Sequence, residues 1–467
     1  MSKQSSQALS APAPANEPKR WTVGTLTYTT GGLLALFCWL LWGDFGYYLK
    51  ERSVQPTLLL LLKQYKVSDF LIGLLITSLP QAITIVLAPI ISYRSDRHRG
   101  KWGRRIPFLL VPTPIAFVSM VGLAFSPVIG RWLHVLLGVA SPGETMSIIM
   151  AFTLFWSVFE FCTITCNSAF IGLINDVVPR PVISRFFAMF RFFSLGAGML
   201  FQYFLFGKAE VHYVPIFLGI GALYAISFTA MCLMVKEGEY PPPPPPTDPT
   251  AGGIGSFFSA TKTYFRDCFS KPYYLWIFFS IALVFVAVTP ITLFSIYFAK
   301  SVNMSMDRLG ELAALQLLIS LLQSYPMGWL SDKFHPLRVT LAMLALYVIA
   351  TLAAFLFVHD ATSYSFAYVI TGTIYGAWFT ASMPIGAMLF PKSKFATFDS
   401  ARIICFSLGM MITGPLAGWA MDRVLHQQYR YIYFFACCFT ALSFFATLVV
   451  YRRFMAYGGP KGYVAPE

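Results

Sequence analysis

Long apolar runs recur along this chain from about residue 31 to residue 451. Each has roughly 20 residues or more, the length that a helix needs to cross the hydrocarbon core of a bilayer. The runs show no period-2 alternation, and a bilayer tolerates only helices or closed barrels. The sequence therefore predicts an all-α membrane protein with twelve transmembrane helices, at residues 31–62, 69–92, 106–126, 146–172, 186–206, 213–235, 272–299, 309–330, 338–358, 364–390, 398–420 and 429–451. Only 12% of the residues are charged, too few to cover a soluble domain.

A polar stretch divides these runs into two groups of six. Pro241 to Pro246 in this stretch favour a stiff polyproline segment. Residues 254–270 mix aromatic and basic side chains, which is typical of a short amphipathic helix on the membrane surface, although a plain linker is the alternative. We expect a disordered cytoplasmic tail at 1–22, a six-helix bundle at 23–235, a cytoplasmic linker at 236–271, a second six-helix bundle at 272–455 and a cytoplasmic tail at 456–467.

The distribution of basic residues predicts the topology. Most of the 34 Lys and Arg residues fall in the loops of one side, which is the positive-inside bias of membrane proteins. We therefore place both termini in the cytoplasm of a multi-pass cell-membrane protein. Because the net charge of +14 follows the loops, it does not indicate a nucleic-acid partner.

The residues that carry enzyme chemistry are scattered. The eight Cys and six His show no metal-ligand spacing and no clustered acid, base and nucleophile. The phosphate-binding pattern Gly-x-x-x-x-Gly-Lys-Ser/Thr is also missing, which argues against an ATP-driven pump. The sequence thus predicts no metal site, no cofactor and no enzymatic activity.

Polar residues interrupt the first apolar run. Asp44, Tyr48 and Glu51 recur at helical spacing on one face, and Arg52 borders that face. Either the helix ends near Tyr48, or one long helix carries these residues to membrane depth. We favour the long helix, because the apolar residues 57–62 have no other place. A polar stripe on a spanning helix must face protein or a water-filled cavity, so these four residues are candidates for binding substrate or coupling ion.

Charged turns follow the second and the eighth apolar runs. The first is Ser92-Tyr-Arg-Ser-Asp96-Arg97-His-Arg-Gly-Lys-Trp-Gly103-Arg104-Arg105, and the second is the shorter Gly328-Trp-Leu-Ser-Asp332-Lys333. The longer pattern resembles the signature loop of the major facilitator superfamily, with Ser92 where that family usually has glycine. The resemblance implies the major facilitator fold, in which the twelve helices form two pseudo-symmetric six-helix bundles.

Three further segments are similar to one branch of that superfamily, the glycoside–pentoside–hexuronide cation symporters and the sucrose carriers. They are Arg104-Arg105-Ile-Pro107, Asn167-Ser-Ala-Phe-Ile-Gly-Leu and Phe187-Ala-Met-Phe-Arg191. The resemblance implies a sugar or glycoside as the substrate. The chain departs from the sodium users of that branch, since residues 70–92 contain no acid and Asn167 is neutral. We therefore expect a proton rather than sodium as the coupling ion, or no coupling.

The resemblance also implies a conformational latch between the halves. We expect Asp96 to approach the N-terminus of the eleventh helix, where the partial positive charge of the helix attracts a carboxylate. Asp332 is expected to meet the fifth helix by the pseudo-symmetry of the halves, and Arg104 and Arg105 are expected to pair with Asp176. The residues assigned to the latch are Asp96, Arg97, Gly103, Arg104, Arg105, Asp176, Gly328 and Asp332.

Glu160 is the acid of the fourth apolar run, and it shares a helix face with Thr163 and Asn167. A carboxyl group whose surroundings alternate between buried and solvated takes up and releases a proton. A permanent ion pair or a protonated hydrogen-bond donor is the alternative role. The cations available to such a group are Arg52 and Arg191, and Trp378 is one of the aromatic residues available to stack on a sugar.

These patterns lead to one expected function and two alternatives. We expect a monomeric secondary active transporter, embedded in the lipid bilayer, that moves a small polar solute by alternating access. A sugar or glycoside moved together with a proton is the favoured cargo. The alternatives are a transporter or exporter of an organic acid, amphiphile or drug, and a membrane sensor that binds solute without moving it.

Overall fold

A computed structural model of the protein describes residues 20–240, 264–391 and 394–466. Twelve long helices confirm the all-α membrane fold over these residues. They are α1 (Thr30–Gln64), α2 (Asp69–Arg97), α3 (Ile106–Ala140), α4 (Glu144–Val177), α5 (Arg180–Phe204), α6 (Tyr213–Met234), α7 (Pro272–Ser301), α8 (Met306–Phe334), α9 (Pro336–Phe357), α10 (Ala361–Leu389), α11 (Phe395–Arg423) and α12 (Tyr431–Ala456). Ten of the twelve are long and apolar enough to cross a membrane by composition alone, and α8 and α10 are not among these ten.

Helix α1 is a single helix of 35 residues that runs through the polar stripe. The side chain of Thr29 caps it by accepting a 3.1 Å hydrogen bond from the backbone amide of Gly32. Pro56 lies inside the helix near its far end. The charged residues of the first apolar run therefore lie at membrane depth, as the long-helix interpretation predicted.

Helix α2 contains a π-helical turn at Leu74–Ser78, just before Pro80. Proline has no backbone N–H to donate to the preceding turn, and a widened turn accommodates that missing bond. The irregular turn lies where α2 crosses α11 of the other half, so the sequence places a local break at the contact between the bundles.

The helices pack as two bundles that meet along two equivalent helix pairs. In the first half α1 packs on α5 and α6, and α3 packs on α4 and α6; in the second half α7 packs on α11 and α12, and α9 packs on α10 and α12. Contacts between the halves join α2 to α11 and α5 to α8. A side chain at Gly73 would overlap the carbonyl of Gly414, and one at Gly310 would overlap the carbonyl of Gln202. Both crossings therefore depend on a glycine.

The segments around the bundles differ in part from their sequence predictions. Trp21–Val23 and Leu26–Tyr28 form an antiparallel hairpin, so residues 21 and 22, which the sequence assigned to the tail, belong to a strand. Residues 1–19 lie outside the described residues. Thr25 in its turn accepts a 2.8 Å hydrogen bond from the backbone amide of Glu239. The polyproline segment and most of the predicted amphipathic helix lie outside the described residues, although residues 264–269 are helical.

The two ends of the described chain lie on one side of the bundle. The hairpin at residues 21–28 contacts the segment after α6, and the Tyr463 hydroxyl donates a 2.7 Å hydrogen bond to the carbonyl of Leu389 at the end of α10. Both α6 and α10 are even-numbered helices, so their C-terminal ends share a side. We call this the terminus side and the opposite one the far side.

Candidate functional site

Two adjoining cavities lie between the halves and share Glu51, Gln55 and Thr292 in their walls. The first chamber has a volume of about 330 Å³ and lies between α1, α5 and the second-half helices α7, α8 and α10. The second chamber has a volume of about 400 Å³ and lies mainly between α1, α2 and α4. Helix α1 separates the two, so the part of its polar stripe that contains Glu51 and Arg52 faces a cavity.

Polar and aromatic side chains from both halves line the first chamber. Glu51 and Arg52 are both exposed to it, and neither carries an ion pair within the described residues. Amide, hydroxyl and aromatic groups surround them, from Gln55, Gln202, Thr292, Gln316, Tyr347, Tyr368, Thr371 and Tyr375. The chamber can thus donate and accept several hydrogen bonds and offers ring faces for stacking.

The second chamber holds the acidic face of α4. Glu160, Thr163 and Asn167 all line it, together with Gln81 and Thr84 of α2. The Thr163 carbonyl accepts a 3.2 Å hydrogen bond from the Tyr47 hydroxyl, which ties α4 to α1. The structure therefore places Glu51, Arg52, Glu160 and Asn167, all expected from the sequence, in the walls of the two chambers.

Four other expected site residues lie outside the chamber walls. Asp44 is fully buried, and its carboxyl oxygens have no hydrogen-bond partner among the described residues. Tyr48 packs edge-on against Phe190 of α5 at 5.6 Å. These two residues are on the side of α1 that faces α5, so the stripe is only partly directed into the chambers.

Arg191 and Trp378 occupy packing positions. The Arg191 guanidinium donates a 3.2 Å hydrogen bond to the Thr380 hydroxyl and so bridges α5 and α10. Trp378 is 2% exposed and packs with Val284 and Leu344. Tyr375, one turn earlier on α10, lies between Trp378 and the first chamber and presents the aromatic surface there.

Lys50 is a buried cation that the sequence analysis did not select. Its side chain is 0% exposed, and its ammonium donates a 3.0 Å hydrogen bond to the Thr163 hydroxyl. The ammonium lies 4.1 Å from the ring centre of Tyr47 and 4.8 Å from that of Tyr224. The sequence did contain a signal for Lys50. It lies three residues after Tyr47, so helical spacing puts both side chains on the face of α1 next to the polar stripe.

The sequence pattern of the family described as "MFS/sugar transport protein" matches residues 55–426. The chain belongs to this family. It is therefore a membrane transporter of the major facilitator superfamily rather than an enzyme, with a small-molecule substrate. A comparison with curated protein sequences returns no match.

Solved structures of transporters share the fold of this family member. An inward-facing, unoccupied bacterial homologue of the human lysosomal transporter Spinster is 19% identical, with 90% of this chain and 97% of that chain covered and a TM-score of 0.61. A mutant of the nucleoside transporter NupG is 12% identical, with 89% and 100% covered and a TM-score of 0.65. An inward-facing bacterial homologue of the iron transporter ferroportin is 13% identical, with 90% and 99% covered and a TM-score of 0.59. At these identities the likeness establishes the fold alone.

On the terminus side of the transporter, the long charged turn forms ion pairs within the first half. Arg104 makes two hydrogen bonds to the Asp176 carboxylate, at 2.6 and 3.0 Å, and Arg105 contacts Asp176 at 3.2 Å. Arg105 also pairs with Asp96, which is 54% exposed. Burial alone would lower the pKa of the Arg104 guanidinium, but the bonds to Asp176 raise it overall, so Arg104 stays charged.

The expected contact of Asp96 with the beginning of α11 does not occur in this structure. Asp96 instead contacts Arg105 of its own half. In the shorter charged turn of the second half, Asp332 is exposed and a side chain at Gly328 would meet open space. Asp96 does not reach α11 because, in this structure, the polar contacts that hold the halves together lie on the far side and not on the terminus side.

A group of four residues, which we call the far-side cluster, joins the halves there. Lys63 donates a hydrogen bond of 2.8 Å to Asp69 and one of 2.9 Å to the hydroxyl of Tyr429. The Tyr429 hydroxyl in turn donates a 2.8 Å hydrogen bond to Asp69. Asp422 accepts hydrogen bonds from the backbone amides of Asp69 and Phe70, at 3.2 and 2.9 Å. Burial, and then the Asp69 carboxylate, raise the pKa of Tyr429 well above its ordinary value, so the hydroxyl keeps its proton.

Two further bonds join the halves on the far side. Lys300 at the end of α7 forms an ion pair with Glu210 at 2.8 Å. The Tyr297 hydroxyl donates a 2.8 Å hydrogen bond to the carbonyl of Leu59. Sequence reasoning missed these residues because each is an ordinary loop or helix-end residue in its own half. The local signal was the capping serine Ser68 before Asp69, which marks a helix N-terminus.

Proposed function

We propose that this transporter moves a sugar or glycoside across the cell membrane by alternating access, in symport with a proton. The first chamber is the observation that carries the proposal. It combines amides, hydroxyls and tyrosine rings from both halves with the carboxylate of Glu51 and the guanidinium of Arg52, neither of which is ion-paired among the described residues. Such groups bind hydroxyls in several directions and stack on the apolar face of a sugar ring.

The second chamber supports a role for Glu160 in proton coupling. Its carboxyl group lies on a cavity wall next to a second acid, Glu51, which both chambers share. Ionisable groups at membrane depth are expensive and mark ion pathways in transporters. Glu51 thus connects the place where the solute would bind with the place where the proton would bind.

The arrangement of contacts between the halves supports the alternating-access step. The far side is held together by the far-side cluster, whereas Asp96 on the terminus side pairs within its own half. We propose that, when the terminus side closes, Asp96 leaves Arg105 and reaches the N-terminus of α11. Arg97, Gly103, Arg104, Arg105 and Asp176 would position the turn, and Gly328 and Asp332 would act likewise in the second half.

The basic loops support a location of both termini in the cytoplasm, so that the far side is extracellular. A cysteine introduced at Lys101 should then react with an impermeant maleimide only after the cells are permeabilised. A cysteine introduced at Lys66 on the far side should react in intact cells. The reverse pattern would contradict this orientation.

Uptake by purified protein in proteoliposomes tests the substrate and the coupling. A panel of labelled mono- and disaccharides is offered with and without imposed pH or sodium gradients. Glu160→Gln should abolish proton-driven accumulation and leave counterflow exchange intact. Glu144→Gln, an exposed acid at the start of the same helix, is the control and should behave like the wild type.

The other outcomes separate the remaining functions. Because Arg52 lines the first chamber and has no ion pair in the part of the chain that the structure describes, an organic acid is the second candidate cargo. Flux of organic anions without flux of any sugar would favour that candidate. Saturable sugar binding without flux would favour a sensor, and normal accumulation by Glu160→Gln would show that Glu160 is not the coupling acid.

A further inference from the structure

Lys50 carries an ammonium group in a buried position at membrane depth, where a charged group is energetically unfavourable. The side chain is fully buried in the first half, at the depth of the chambers. The Thr163 hydroxyl is its hydrogen-bond acceptor, and no carboxylate lies within ion-pair distance of it among the described residues. Its other neighbours are the rings of Tyr47, Phe159 and Tyr224, at 4.1, 5.0 and 4.8 Å from the ammonium.

Oxygen atoms of the second chamber lie just beyond this ammonium. Thr163, its hydrogen-bond acceptor, lines the chamber, and Glu160 lies one turn away on the same face of α4. The titratable groups in electrostatic range of Lys50 are Glu51 on its own helix and Glu160, Cys162 and Cys166 on α4. Tyr47 of α1 and Tyr224 of α6 complete the surroundings. The ammonium thus lies directly behind the wall of an acidic cavity, bonded to one of the residues that line it.

A bound alkali cation would need this same environment. Sodium ions in proteins are held by carboxylate, hydroxyl and amide oxygens, and Glu51, Glu160, Thr163 and Asn167 supply all three kinds in the second chamber. A fixed ammonium hydrogen-bonded to one of these oxygens repels a second cation by Coulomb interaction, which is strong where water is scarce. Lys50 and sodium are therefore alternatives for this cavity.

We propose that Lys50, through its hydrogen bond to Thr163, excludes alkali cations from the second chamber, so that Lys50 determines which ion the transporter can couple to. The inference rests on the proposed coupling role of that chamber. Lys50 acts through Thr163 and the acids and is a positioning residue. Without the ammonium, the acids and Thr163 face a cavity that no Lys or Arg of the described residues lines.

Titration calorimetry of the purified full-length protein with NaCl tests the proposal, with choline chloride keeping the ionic strength constant. The wild type should give no saturable heat. Lys50→Gln should bind sodium saturably, and Lys50→Gln combined with Glu160→Gln should lose that binding. Lys50→Arg, which keeps the charge, should again bind no sodium.

Controls make each result decisive. Lys66→Gln, which removes an exposed ammonium just beyond the end of the same helix, should bind no sodium. Saturable binding by the wild type would overturn the proposal whether or not the variants fold. A Lys50→Gln protein that melts like the wild type and binds no sodium would also overturn it. Because no sugar is used, failure of the sugar panel would leave this test intact.

Discussion

Asp422 accepts a 2.9 Å hydrogen bond from the backbone amide of Phe70, so an acid of the second half caps a helix of the first. The carboxylate lies at the C-terminal end of α11 and meets the N-terminal end of α2, where the helix carries partial positive charge. This is the arrangement that the family resemblance implied for Asp96 and α11, with the roles of the helices exchanged and on the opposite side of the membrane. Both helix crossings at that level also depend on a glycine.

Asp422→Asn should loosen the closure of the far side. The substitution keeps an acceptor but removes the charge that interacts with the α2 N-terminus, a loss of about 1 kcal/mol or roughly fivefold in the closed-to-open ratio. A cysteine at Leu317 in the first chamber should then react faster with an impermeant maleimide added from the far side. Glu311→Gln, an exposed acid on α8, is the control and should leave the rate unchanged. Equal rates for Asp422→Asn and the wild type would contradict the capping role.

Gly418→Val should force the far side apart. A side chain at Gly418 would overlap the carbonyl of Asp69 on α2, and overpacking of this kind costs about 1–3 kcal/mol. The Leu317 reporter cysteine should become more reactive from the far side, and transport should slow because closure is impaired. Gly196→Val on α5 is the matched control, since a side chain there meets nothing within 4 Å. A similar effect of both variants would point to general helix destabilisation instead.

Tyr429→Phe should weaken the far-side cluster and change its response to alkaline pH. The hydroxyl joins Lys63 to Asp69, and hydrogen bonds to charged groups contribute about 1.5–3 kcal/mol. Because the folded-state pKa of Tyr429 is raised, its stabilisation is complete below the ordinary tyrosine pKa of about 10 and is lost as the pH rises above that value.

Melting curves of the detergent-solubilised protein at increasing alkaline pH measure this effect. The wild type should lose more of its melting temperature than Tyr429→Phe as the pH passes the ordinary tyrosine range. Tyr203→Phe, an exposed tyrosine on α5, is the control and should follow the wild type. Parallel pH curves for wild type and Tyr429→Phe would show that the hydroxyl does not carry this dependence.

Glu237→Gln should destabilise the start of α3. Its carboxylate accepts hydrogen bonds of 3.0, 2.7 and 2.8 Å from the backbone amides of Arg104, Arg105 and Ile106. Losing the charge from such a cap costs about 1–2 kcal/mol, because charged acceptors bind amides more strongly than neutral ones. The melting temperature should fall for Glu237→Gln and stay constant for the neighbouring exposed variant Glu239→Gln. Equal melting temperatures would remove the capping role of Glu237.

The sequence predicted well what depends on local composition. Apolar length gave the helices, and helical spacing placed Glu51 and Glu160 on cavity walls. It did not predict what depends on a partner far along the chain. Nothing near Asp422 indicates that the start of α2 will lie beside it. Trp378 was similarly ambiguous, because an aromatic residue in a membrane helix packs in the core as readily as it lines a cavity.

Lys50 is another residue whose surroundings depend on a partner far along the chain. The long-helix interpretation already puts Lys50 inside the helix, but helical spacing does not show whether its ammonium faces a cavity or the protein interior. Once α1 is a single helix of 35 residues, the ammonium must lie at membrane depth, and its acceptor on α4 follows only from packing.

Helices α8 and α10 fall short of the apolarity that a lone membrane helix needs. Their polar groups satisfy each other, as in the 2.9 Å hydrogen bond from Gln323 to the carbonyl of Thr373, and the glycines of α10 pack against the glutamines of α8. During synthesis the translocon releases helices into lipid according to their individual hydrophobicity. Because α8 and α10 are less apolar than a lone membrane helix needs to be, we expect each to depend on the other for stable insertion into the bilayer.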